Sequence, residues 1–262
     1  MSQPSSKRAC AVCVAALTIL LLTIAAANAQ SPDRATRLLR TPTVSATQIA
    51  FAYANNIWTV ARGGGSARRI TSFQGQTLNP HFSPDGKWIA FSGEYAGNLD
   101  VYVVPADGGE PRRLTWHPGA DQVQGWMSDG KSIVFASSRA SWTPGAAPRF
   151  WTVPIEGGVE APMLLPRAFQ GKISADGTRV AYRMNNSWDE ERRNYRGGQN
   201  RPIWIVDLKT YDLESPPWTD SKDVDPVWIA DTVLLHFRPQ WSRERLGLRY
   251  KVKKTGAVNK VH

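Results

Sequence analysis

Cysteine is almost absent from the chain. Of 262 residues only Cys10 and Cys13 are cysteines, and both lie in an apolar N-terminal segment. The body of the chain can therefore form neither a disulfide nor a thiolate metal site. Histidine is nearly as scarce, with four in all, of which His81 and His117 fall in the repeated region described below. Two separated imidazoles without cysteines or clustered carboxylates do not make a metal-ligand set. No Gly-x-Ser-x-Gly elbow occurs, and Ser83, Ser128 and Ser174 sit beside Asp-Gly turns, where hydroxyls serve the turn. A nucleophile needs a base within hydrogen-bond reach, and none is foreseen here. The expectation is no catalytic, cofactor-binding or metal residue in this chain.

Excess charge in the body is also lacking. The formal net charge is +10, from 32 Lys and Arg against 22 Asp and Glu. Lys7 and Arg8 precede the apolar segment, and eight more basic residues fall between Leu234 and His262, against Glu244 alone. The body from Gln30 to Val233 keeps 22 basic and 21 acidic residues. Phosphate backbones call for a clustered basic face, so no nucleic-acid partner is expected.

Residues 1–29 read as an export signal. Lys7-Arg8 is a charged lead, Ala9 to Ala27 is apolar, and Ala27-Asn28-Ala29 is a small-x-small cleavage site before Gln30. The alternative is a retained single-span anchor, since the apolar run approaches membrane-spanning length. Cleavage leaves an exported, periplasmic or secreted chain with no stable membrane association.

What is present is a repeat. From Asn79 the chain runs through Pro80 and Phe82 to the turn Ser83-Pro84-Asp85-Gly86, and then to the strand Trp88-Ile89-Ala90-Phe91-Ser92. Val101-Tyr102-Val103-Val104 makes a third strand, Asp107-Gly108-Gly109 turns the chain, and Arg112-Arg113-Leu114-Thr115 closes the unit. The Asp-Gly turn recurs at Asp129-Gly130 and Asp176-Gly177, spacings of 44 and 47 residues. Each is followed at one distance by an aromatic: Phe91, Phe135 and Tyr182. The third strand recurs as Ile57-Trp58-Thr59-Val60, Phe150-Trp151-Thr152-Val153 and Ile203-Trp204-Ile205-Val206. Four short strands per period of that length predict an all-β fold of β-propeller blades, each of four antiparallel strands. The Trp-Asp signature of the best-known propeller class is missing from these units.

The predicted organisation is a partial propeller over 30–233, with blades at about 42–72, 79–119, 121–166 and 170–219 and the start of another at 223–233. Two expanded loops interrupt it, Ala140 to Ala147 and Met184 to Arg201. The second carries Asp189, Glu190, Glu191, Arg192, Arg193 and Arg196, either a contact for substrate termini or a neighbouring domain, or a self-compensating solvated loop. The pairs Arg68-Arg69 and Arg112-Arg113 fall on the outermost strand, where charge guards an exposed edge.

Read in order, Leu38-Leu39-Arg40, Ile57-Trp58-Thr59-Val60, Phe82-Ser83-Pro84-Asp85-Gly86-Lys87-Trp88-Ile89-Ala90-Phe91, and Tyr195-Arg196-Gly197-Gly198 before Ile203-Trp204-Ile205-Val206-Asp207 resemble the start of a tricorn-type serine peptidase. The Ser-Pro-Asp-Gly element alone is shared with TolB-like propellers and with relatives of prolyl oligopeptidase; the ordered set, from Leu38 to Val233, carries the resemblance. In that family an N-terminal propeller precedes a second propeller, a PDZ module and a serine-peptidase domain. The resemblance implies a propeller that admits or guides peptide or protein substrates to an active site built elsewhere. A TolB-like interaction module and the propeller of a prolyl-oligopeptidase-like enzyme remain the alternatives.

From Leu234 the repeat motifs stop and a basic tail, 234–262, follows. Back-translated with permitted codons and read from the second base, this segment can encode a strand, a Ser-Asp-Arg loop, an aromatic strand, a turn and a closing Leu-Thr. A frame change near Leu234 is therefore expected. Four blades and part of a fifth leave the ring incomplete, which predicts self-association through the open sheet face.

Overall fold

In the computed structural model the described residues are 38–72, 74–140, 147–184, 203–216, 222–238 and 246–252. The leading segment, the core of the loop after Ala140, the insertion after Met184 and the last residues of the tail lie outside them. Every regular element among the described residues is a strand.

Five antiparallel sheets follow one another along the chain. The first is β1 (Arg40–Val44), β2 (Gln48–Tyr53), β3 (Asn56–Ala61) and β4 (Arg68–Arg69); the second is β5 (Thr77–Phe82), β6 (Trp88–Gly93), β7 (Asp100–Pro105) and β8 (Arg112–Arg113). The third comprises β9 (Asp121–Trp126), β10 (Ser132–Ser137), β11 (Arg149–Pro154) and β12 (Ala161–Pro162). The fourth comprises β13 (Gln170–Ile173), β14 (Arg179–Arg183), β15 (Trp204–Asp207) and β16 (Leu213–Glu214). Within each, strands pair in chain order, as in a meander. The fifth is three-stranded: β17 (Lys222–Ile229), β18 (Thr232–Arg238) and β19 (Leu246–Lys251).

That last sheet departs from the sequence expectation of a pattern lost at Leu234. β18 runs unbroken from Thr232 to Arg238, pairing Leu234 with Val227 and His236 with Val224, and β19 pairs Leu248 with Leu235. Strand pairing needs register and an extended backbone, and the tail supplies both without the turn motifs that mark the earlier units.

The repeat motifs have local causes. In the first Asp-Gly turn, Ser83 Oγ donates to Asp85 Oδ1 at 2.6 Å and accepts from Trp88 N at 3.0 Å, while Lys87 N donates to Asp85 Oδ1. Ser174, Asp176, Thr178 and Arg179 repeat this network. Glycine ends each turn at positive φ, 73° at Gly86, 69° at Gly130 and 74° at Gly177. The closing Ile-Thr or Leu-Thr pair ties the end of the unit to the start of its third strand, because Thr71 Oγ1 accepts from Ile57 N and Thr115 Oγ1 from Val101 N.

Side-chain alternation builds the core between sheets. On β6, Ile89 and Phe91 face the first sheet, where they meet Ala50, Ala52 and Ile57; Ala90 faces the third, where it meets Phe135 and Ile133. Tyr182 in turn packs on Ala136 and Phe150. The recurrent aromatic thus fills the space over the small residue of the preceding sheet, and each such ring is buried. Burying one is worth about 1.5–3 kcal/mol. The fifth sheet continues the pattern, with Val233 and Val252 against Ala181, Ile203 and Ile205.

The outer-strand arginines do more than guard an edge. Arg68 Nη1 donates to the Asp107 carbonyl at 2.7 Å, and Arg112 reaches the Ile155 and Glu156 carbonyls. Each spans from one sheet to a turn of the next.

Candidate functional site

The first strands of successive sheets, β1, β5, β9, β13 and β17, lie side by side and form a continuous wall. Four of them are irregular. In β1, β5 and β17 the pairs Thr41-Pro42, Asn79-Pro80 and Asp225-Pro226 stand opposite a single residue of the neighbouring strand. Proline cannot donate to the ladder, and its ring steers the preceding residue out of the right-handed helical region. Thr41, Asn79 and Asp225 take positive φ of 46°, 51° and 50°, away from the extended conformation that a following proline favours, because they are the residues that the bulges turn out of the ladder. In β9 the extra residue is Gln124, beside Gly125 at φ 151°. A bulge re-aims the side chains around it, and here it does so at one level of four strands. β13 stays regular, but Gly171 permits an approach that a Cβ would block at 2.6 Å from Tyr182 Cβ.

Below the bulges the wall is hollowed into a cavity of about 290 Å³. Its apolar lining includes Phe82, Trp126, Val134 and Phe150; its polar groups are His81, Gln124, Lys172 and the turn serines Ser128 and Ser174. Lys172 Nζ lies 3.0 Å from His81 Nε2 and donates to the Gln124 carbonyl at 2.6 Å. Gly171 N donates to Gln124 Oε1, Trp126 Nε1 to the His81 carbonyl at 2.9 Å, and Trp228 Nε1 to the Lys172 carbonyl at 2.8 Å. Gln170 Nε2 donates to Asp225 Oδ1. Four sheets thus contribute to one polar network.

Its electrostatics follow from enclosure. His81 and Lys172 keep part of their surface open to the cavity but are densely surrounded by protein. Burial pushes the Lys172 ammonium down to about 8, against the pull of Asp225. Burial, and then the Lys172 charge, hold His81 well below the usual imidazole range. At neutral pH the pair is a charged lysine facing a neutral histidine, which can accept an N–H.

The structure separates the other residues singled out in the sequence. Ser83 and Ser174 are held by Asp85 and Asp176 in their turns, and neither bonds a histidine. His117 Nδ1 accepts from Gly119 N at 2.9 Å, within its own loop. Among the described residues no group of three or more His, Cys, Asp and Glu converges as metal ligands would. Lys172, Gln124 and Asp225 were missed as site residues. The legible signal was the recurrence of Thr-Pro, Asn-Pro and Asp-Pro at the first strand of a unit.

The family model described as the tricorn protease N-terminal beta propeller domain matches residues 36–236. The chain belongs to this family. Among solved structures, the tricorn protease itself superposes with a TM-score of 0.67 at 21% identity, covering 83% of this chain and 22% of that one. A putative TolB from Agrobacterium tumefaciens gives 0.62 at 21% identity, covering 79% and 72%. The β-propeller domain of the Trilobed protease from Pyrococcus furiosus gives 0.52 at 16%, covering 82% and 69%. The tricorn-type propeller fold explains the five stacked meanders, and the first-strand wall is the part of it that carries the cavity.

Proposed function

We propose that this tricorn-type propeller binds extended peptide or unfolded protein along its first-strand wall, and serves as the substrate-admitting part of an exported tricorn-like serine peptidase whose catalytic groups lie outside this chain. The observation that carries the proposal is the wall of side-by-side first strands together with its cavity, where three sheets bring an apolar lining to a lysine, a histidine and the Gln124 amide. An extended peptide offers the complement, apolar side chains alternating with backbone donors and acceptors. Export rests on the charged lead, apolar run and small-x-small site of residues 1–29. A TolB-like protein-interaction module is the second reading, favoured by the 72% of the Agrobacterium chain that is covered. The test is calorimetric titration of unstructured peptides into the purified chain. Saturable binding by the native chain, lost in a Gly125→Trp variant whose unfolding curve shows that it tolerates the strained φ and folds, supports the proposal; absence of binding at millimolar peptide refutes it.

A further inference from the structure

Lys172 is a half-buried cation whose hydrogen-bond capacity is not spent. An ammonium has three N–H groups. One goes to the Gln124 carbonyl and one faces the His81 ring, and Lys172 makes no ion pair among the described residues. Asp225, whose charge is felt at Lys172, already receives Gln170 Nε2. Asp225 acts on Lys172 only from a distance and makes no contact ion pair with it among the described residues; a cation withdrawn from water without a directly bonded counter-ion is costly, so an anion at the third N–H relieves the site. The surroundings define what carries that anion. Phe82, Trp126, Val134 and Phe150 line the same space. Its volume of about 290 Å³ is at the small end of ligand pockets, about 300–1,000 Å³. That suits one apolar group with an attached carboxylate, not a length of chain.

Resting on the peptide-binding proposal and extending it, we infer that this cavity is a seat for a carboxylate on an apolar body, held by the Lys172 ammonium. The carboxylate is either a peptide C-terminus or an acidic side chain next to an apolar residue. The titratable groups facing Lys172 are His81 from β5 and Asp225 from β17; β9 presents Gln124 and Trp126, which do not titrate, and β14 places Ala181 opposite it. Since His81 stays neutral, Lys172 alone supplies the seat's positive charge until it loses its proton, offset in part by the Asp225 charge that reaches it from β17.

The experiment uses the full chain and matched probes: 4-phenylbutyrate against 4-phenylbutyramide, and a peptide ending in Phe as free acid, as amide, and as amide with a Glu beside the Phe. Binding is followed by calorimetry and by the indole N–H resonances of Trp126 and Trp228. Phenylbutyrate is expected to bind at least about ten-fold tighter than its amide. The preference disappears in Lys172→Gln and returns in Lys172→Arg. Affinity for acids holds from pH 6 to 7.5 and falls above about 8 as Lys172 deprotonates. Unfolding curves establish that both variants fold, and the pH series tests the seat in the native chain if they do not. Binding of the free-acid peptide alone assigns the C-terminus; binding of the Glu-bearing amide assigns the side chain. Equal binding of acid and amide, a preference that survives Lys172→Gln, or affinity that rises above pH 8 overturns the inference. Phenylbutyrate binding without any peptide binding refutes the peptide proposal and leaves the seat standing; peptide binding indifferent to the carboxylate does the reverse.

Discussion

Arg139 offers the sharpest test of how a sheet of this propeller is held. Its Nη2 lies 2.5 Å from Asp121 Oδ2, its Nη1 3.2 Å from Glu160 Oε1, and its guanidinium stacks 5.0 Å from the Phe135 ring and 5.3 Å from that of Trp151. The Asp121 side chain is wholly buried. Arg139→Met keeps the apolar stem but strands that carboxylate. Breaking a buried pair from one side costs about 3–5 kcal/mol, and loss of two ring contacts places the expected cost toward the upper end. Burial already pushes the Asp121 carboxyl above its ordinary range, against hydrogen bonds from Ser137 and Thr115 and the attraction of Arg139. Without Arg139 the shift grows. A carboxyl with a raised folded pKa gives stability that is full below the unfolded value of about 3.9 and is lost as pH rises through the folded value. The deficit of Arg139→Met is therefore largest at pH 7 and shrinks toward pH 4. Urea unfolding of the wild type, Arg139→Met, Asp121→Asn and the double variant measures it, and the double variant is expected to recover at least about 2 kcal/mol by removing the stranded charge. A deficit under about 1 kcal/mol at pH 7, or one that Asp121→Asn leaves unchanged, refutes the reasoning.

Two further outcomes are expected. Asp85 is held below the usual carboxylate range by the Ser83 hydroxyl and then by Lys87 N, and Asp176 by the Ser174 hydroxyl and then by Thr178 N. A depressed folded pKa gives stability that is present above the unfolded value and lost as pH falls through the folded one, so Asp85→Asn with Asp176→Asn should flatten the acid limb of a stability–pH curve; an unaltered limb speaks against the turn network. We also propose a frame change near Leu234: nucleotide sequence through the codons for Asp231 to His262 should contain a second frame that restores the repeat, and two alternative frames without one dispose of it.

Much of the fold was legible because its motifs are local. The Asp-Gly turn is closed by a serine two residues before the aspartate, and the aromatic five residues after the glycine lands over a small residue of the preceding sheet. Neither relation needs knowledge of distant chain. The site was hidden for the opposite reason. Lys172 and His81 meet across 91 residues, and nothing near either predicts the other. The X-Pro bulges were visible as dipeptides, but their shared level on the wall emerges only when the sheets stand side by side. Arg68 and Arg112 were read as edge protection, since their acceptors are carbonyls of the following unit. The repeat motifs stop at Leu234, yet β18 runs through it, because pairing of Thr232–Arg238 needs an extended backbone and a register but no turn motif.

The central claim, peptide binding on the first-strand wall, is tested most directly by hydrogen exchange of the purified chain with and without a saturating unstructured peptide. Slowed exchange confined to the segments 77–82, 121–126 and 170–173 and the turns beneath them is the predicted result. Protection restricted to the outer strands, or none while the peptide is demonstrably bound, would contradict it.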